Sequence, residues 1–277
     1  MVAASLPPLP ARAAFDDTGG DLPVVVLIHG VGLSRAMWSA QIAALRPHYR
    51  VIAVDMLGHG ASPTPPADAT LDDYAAHVAG LLDLAGVEKA VLIGFSMGAL
   101  VARAFAFLYP DRLNALVLMN GVFEREPDVR ANILARVAEV QAHGPGANMD
   151  AAIERWFSPS FRERNEPYLA DLRQAFAAND PQGYETSYRL FATQDALGAD
   201  RVAGIAVPVL VTTGEFDVGS TPAMSWALAQ RIPGARLTIV PGARHMMPVE
   251  MPVETNAVLT DFLHSLQQEA RAYGESE

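Results

Sequence analysis

The chain is 277 residues long, 51% hydrophobic and 18% charged, enough for one large domain whose core needs neither disulfides nor a structural metal. It contains no cysteine, which excludes a disulfide framework, a thiol nucleophile, and cysteine-ligated zinc or iron–sulfur sites. Lys plus Arg at 20 against Asp plus Glu at 31 leaves a net charge of −11, a balance that repels nucleic acid and anionic membrane surfaces.

Residues 1–15 are broken by Pro7, Pro8 and Pro10 and lack a charged start followed by an unbroken apolar stretch. No apolar run of about 18 residues occurs elsewhere, so the expectation is a cytoplasmic chain without a membrane span. A β-branched run at 23–29 reads as a buried parallel strand and ends at His29-Gly30-Val31-Gly32. A helix over about 36–46 and a second strand at 50–55 follow, then the turn Asp55-Met56-Leu57-Gly58-His59-Gly60-Ala61-Ser62. A helix starts at Leu71 and runs to Gly86, a third strand spans 90–95, a helix runs from Ser96 to about Tyr109, and a fourth strand covers 113–120. This alternation predicts a mostly parallel, doubly wound α/β sheet.

Between 121 and 198 helical periodicity replaces the strands, with helices expected near 128–142, 149–157, 166–178 and 182–194. Nine of the chain's 21 aromatic residues lie in this stretch, from Phe123 to Phe191. It reads as a helical cap, so that 1–120 and 199–277 are two parts of one core and 121–198 an insertion. Strands return at 207–213 and 236–240, with helices over about 221–232 and 252–270 and fraying after Ala272.

The chemistry is signalled at Gly94-Phe95-Ser96-Met97-Gly98, where an apolar strand turns into a helix through a serine. Such a turn holds Ser96 in a strained backbone conformation with its hydroxyl clear of the sheet. A serine hydroxyl is a poor nucleophile at neutral pH, so it requires a histidine base and a carboxylate to orient that base. Asp217 follows the strand 207–213 and His245 follows 236–240, giving the chain order serine, acid, histidine. The N–H groups of Met97 and Val31 are the expected oxyanion donors, the latter because Gly30 and Gly32 free its backbone to turn inward. Asp55 and His59 read as loop architecture away from the nucleophile.

Together His-Gly-x-Gly at 29–32, Asp-x-x-Gly-His-Gly-x-Ser at 55–62, Gly-x-Ser-Met-Gly at 94–98 and the loops ending at Asp217 and His245 resemble the α/β-hydrolase superfamily. Within it the chain looks most like small carboxylesterases and 3-oxoadipate enol-lactonases. The resemblance implies an α/β-hydrolase fold with a helical lid, and a serine hydrolase that cleaves a carboxylic ester or lactone with neither metal nor organic cofactor. Hydrolases of carbon–carbon bonds are similar but carry Asn and Trp where this chain has Phe95 and Met246. Cofactor-free perhydrolases and triad-retaining ligand receptors share the layout, and turnover separates an esterase from a receptor. The aromatic cap points to an apolar acyl group, with Trp156 and Tyr188 as candidate contacts. Among Arg155, Arg162, Arg164, Arg173 and Arg189, the last is the expected clamp for a substrate carboxylate.

Overall fold

The computed structural model describes residues 14–274, so the reading of the amino terminus lies largely outside the described residues. Seven strands form one sheet in the order β1-β3-β2-β4-β5-β6-β7. They are β1 (Phe15–Asp17), β2 (Val24–Ile28), β3 (Arg50–Val54), β4 (Ala90–Phe95), β5 (Leu113–Met119), β6 (Val209–Gly214) and β7 (Arg236–Val240). Only β1 runs antiparallel, pairing Phe15 with Val54 at the edge, and all other pairs are parallel. The six predicted strands are present. The edge strand β1 was not expected, because three residues ending in two aspartates carry no apolar alternation.

All six residues of β4 are buried, as a parallel strand covered on both faces requires. The core helices are α1 (Ser39–Leu45), α2 (Leu71–Leu84), α3 (Met97–Leu108), α9 (Pro222–Arg231), the short α10 (Met247–Glu250) and α11 (Pro252–Gly274). Thr70 caps α2 in a reciprocal box with Asp73, which fixes where that helix begins. Helix α11 continues to Gly274, and the last residues, on which the expected fraying falls, lie outside the described residues.

Between β5 and β6 lie α4 (Pro127–His143), α5 (Met149–Trp156), α6 (Pro159–Arg164), α7 (Glu166–Ala177) and α8 (Pro181–Thr193), with no strand among the described residues. Proline occupies the first turn of four of them, where its missing N–H costs nothing. No helix among the described residues is long and apolar enough to cross a membrane.

Candidate active site

Ser96 sits at the tip of β4 with φ 55° and ψ −114°, a conformation that non-glycine residues rarely adopt. The residues two places before and after it must be glycine for steric reasons. A β-carbon on Gly94 would lie 2.2 Å from the carbonyl oxygen of Gly98, and one on Gly98 would lie 2.3 Å from that of Ile28. With both absent, α3 approaches β2 and β4 closely enough to reverse the chain beneath the serine.

The loops after β6 and β7 deliver the other two groups. His245 Nε2 lies 3.2 Å from Ser96 Oγ, and His245 Nδ1 lies 2.7 Å from Asp217 Oδ2. That geometry has Nδ1–H donate to the carboxylate and leaves Nε2 free to accept from the hydroxyl. Asp217 Oδ1 accepts the N–H groups of Gly219 and Ser220, each at 2.9 Å. Burial alone would raise the Asp217 carboxyl. The charge and hydrogen bond of His245, with hydrogen bonds from Asn120 and Ser220, outweigh burial and hold it below the usual carboxylate value.

Val31 lines the same cavity as Ser96, and Met97 follows Ser96 in the chain. Leu33 N–H donates to Gly30 O at 3.2 Å, closing a turn around Val31 and Gly32, and a β-carbon on Gly30 would meet Ser96 Cβ at 3.1 Å. Met97 is the first residue of α3, where a helix leaves its N–H without an internal partner. Among the described residues neither the Val31 nor the Met97 N–H donates to a protein acceptor, leaving two backbone donors beside the serine.

A cavity of about 70 Å³ opens over Ser96 and His245, walled by Val31, Trp156, Phe176, Tyr184 and Tyr188. Its mostly apolar lining, with a few polar groups converging on Ser96, suits an organic acyl group. Trp156 lies 5.8 Å ring to ring from His245, and its carbonyl accepts the Met246 N–H at 3.1 Å, so α5 is tied to the histidine loop. Among the described residues no cluster of three or more His, Asp or Glu has the arrangement of a metal site.

A family model for the alpha/beta hydrolase fold matches residues 23–155. A hydrolase from Acinetobacter baylyi, named for (E)-2-((N-methylformamido)methylene)succinate, is 30% identical over 92% of this chain and 95% of its own. The chain belongs to the α/β-hydrolase family. Solved structures agree with that membership. The enol-lactonase from Burkholderia xenovorans superposes with a TM-score of 0.83 at 32% identity, covering 90% of this chain and 95% of that one. A thermophilic esterase from Thermogutta terrifontis, with malate bound, gives 0.82 at 33% identity over 91% and 93%.

The clamp expectation needs correcting. Arg189 does not line the cavity, and its Nη2 donates instead to Ala67 O at 2.8 Å. Tyr188, the residue before it, does line the cavity. Arg162, Arg164 and Arg173 are not in the lining either, and Arg173 pairs with Asp150 and Glu166. The guanidinium groups that line the cavity belong to Arg155 and to Arg136 on α4, which carried no sequence signal beyond helical spacing.

Two further residues escaped the sequence. Asn120, at the end of β5, donates to Asp217 Oδ2 at 2.8 Å and buttresses the carboxylate from the adjacent strand. Its place on the strand between the nucleophile and the acid is the only hint that the sequence holds. His59 was read as remote loop architecture, yet its Nε2 accepts the Gly32 N–H at 2.8 Å, inside the turn that carries Val31. The reciprocal bond comes from Met56 N–H to His29 Nε2 at 3.0 Å, so the loops after β2 and β3 are laced by two imidazoles. Burial pushes His29 down to about 4 and His59 to about 3, keeping both neutral and able to accept. Asp55 stays architectural: it takes the N–H groups of Arg35 and Ala61 and a close contact from the Arg35 guanidinium.

Proposed function

We propose that this protein is a serine hydrolase of a carboxylic ester or lactone, with residues 121–198 serving as the lid of a core made from 1–120 and 199–277. The observation that carries the reading is the chain of contacts from Ser96 Oγ through His245 to Asp217, at 3.2 and 2.7 Å. In this mechanism His245 takes the hydroxyl proton as Ser96 attacks the carbonyl carbon. Asp217 holds the imidazole in position and stabilises its charged form, while Val31 and Met97 donate to the oxyanion. Collapse expels the alkoxide, which takes the proton from His245, and leaves an acyl group on Ser96. Water then attacks by the same route and the free acid departs.

The substrate we propose carries a carboxylate. Arg136 and Arg155 line the mostly apolar cavity, and among the described residues neither has a carboxylate within ion-pair distance. Burial lowers Arg155, and the like charge of Arg136 adds to that, so an anion beside Arg155 would relieve it. The succinate in the name of the Acinetobacter relative and the malate bound to the Thermogutta esterase are both dicarboxylates, in keeping with this choice.

Labelling with a fluorophosphonate followed by mass mapping tests the assignment together with nitrophenyl ester turnover. Modification at Ser96 and a loss of about 10⁴-fold in kcat for Ser96→Ala are expected. Retention of half the activity by that variant would overturn the reading.

A further inference from the structure

Gly32 is gripped from two directions. From the core, its N–H donates to His59 Nε2 at 2.8 Å, while His59 Nδ1 donates to Leu57 O at 3.0 Å and so fixes the tautomer. From the insertion, Asn179 in the connection between α7 and α8 donates its side-chain amide to Gly32 O at 3.0 Å. The same nitrogen has the carbonyls of Ala175 and Phe176 at 3.2 and 3.1 Å, and three acceptors around it leave no doubt which amide atom points there.

The inserted helices also press on this spot. A β-carbon on Gly32 would lie 2.2 Å from the Phe176 ring and 2.7 Å from that of Tyr184, so both rings rest on the bare glycine. Gly58, next to His59, meets Gly183 of α8 so closely that a β-carbon on either would lie 2.5 Å from the other's Cα. The insertion therefore bears on both partners of the His59–Gly32 bond.

Gly32 has φ +74°, as the third residue of a type II turn requires, and the peptide between the two central residues of such a turn is the one that can flip. His59 fixes that peptide through its N–H, and Asn179 fixes the next through its carbonyl. The Val31 N–H sits one peptide earlier, and an oxyanion donor is effective only when it reaches about 2.7–3.1 Å from the charge.

We propose that Asn179 is a positioning residue through which the inserted helices set the oxyanion turn, so that the hole is complete only while the α7–α8 connection is seated on the core. The inference rests on the reading of Val31 N–H as an oxyanion donor. Asn179 is outside the cavity over Ser96 and lines a separate groove with Met37 and Leu172, so changing it leaves the substrate contacts intact.

The test compares wild type, Asn179→Ala and Asn179→Asp for kcat and KM on a nitrophenyl ester, for inhibition by an aryl trifluoromethyl ketone, and for Tm. With the ketone, Ser96 Oγ bonds to the carbonyl carbon, its proton passes to His245, and the former carbonyl oxygen keeps the negative charge in the hole. Asn179→Ala is expected to lower kcat about tenfold, less than outright loss of a donor. Asn179→Asp should lower it further, because a carboxylate only accepts and would face the Gly32 carbonyl. Ketone affinity should fall by the same factors while KM and Tm hold. Unchanged kcat and ketone affinity in both variants, or activity lost only in step with Tm, would overturn the proposal. A wild-type protein that neither turns over nor binds the ketone removes the hydrolase reading itself, and the proposal with it.

Discussion

Helices α3 and α4 have opposite relations to the fold. Ten of the twelve residues of α3 are buried, but only three of the seventeen of α4. The helix beneath the nucleophile is locked on almost every side, whereas α4 leaves most of its surface to solvent and buries a narrow stripe. The site is thus drawn from two materials: a close-packed sheet that tolerates almost no change, and an amphipathic layer that meets the reacting atoms only at particular places, such as Trp156 beside His245 and Asn179 on Gly32.

That division can be broken by experiment. The largest effect belongs to the core: Asp217→Asn should lower kcat by about 10⁴-fold with KM little changed, because the imidazole loses its oriented tautomer. Steady-state kinetics on a nitrophenyl ester reads it. Gly98→Ala should cost about 3 kcal/mol or more of stability, since the added carbon meets the Ile28 carbonyl and nothing nearby can yield, and urea unfolding measures it.

Acid should also act through the core. His29 and His59 have folded-state values near 4 and 3, below the ordinary 6.5. Beneath about pH 6.5 the unfolded chain binds protons that the native chain refuses, so stability is complete above that pH and declines as pH falls. Each histidine adds a slope of at most about 1.4 kcal/mol per pH unit. Urea titrations between pH 7.5 and 5.5 should show the decline, and His59→Gln should flatten it.

The smallest effect sharpens the comparison from the other side. Arg155→Met should raise KM about tenfold for a carboxylate-bearing ester, leaving kcat, stability and the KM of a neutral ester near wild type. A loss of kcat on the neutral ester would mean that the insertion reaches into the chemistry through this residue as well.

The same contrast governs what the sequence could disclose. The six parallel strands and the positions of Ser96, Asp217 and His245 were legible because buried β-branched runs and strand-end glycines leave local patterns. The bond from His59 to Gly32 was not, because 27 residues separate partners joined only by the pairing of β2 with β3. Nor could helical spacing choose Arg136 over Arg189, since which side of an amphipathic helix meets a cavity depends on its rotation against its neighbours. The helices α6 and α10 were missed because six and four residues are too few for periodicity to register.

The positive φ of Ser96 has one more consequence. A side chain held in that region stores about 1–3 kcal/mol that a residue without a β-carbon would release. Ser96→Gly should therefore yield an inert protein that melts at a higher temperature than the working one, so the most durable version of this molecule is one that can do nothing.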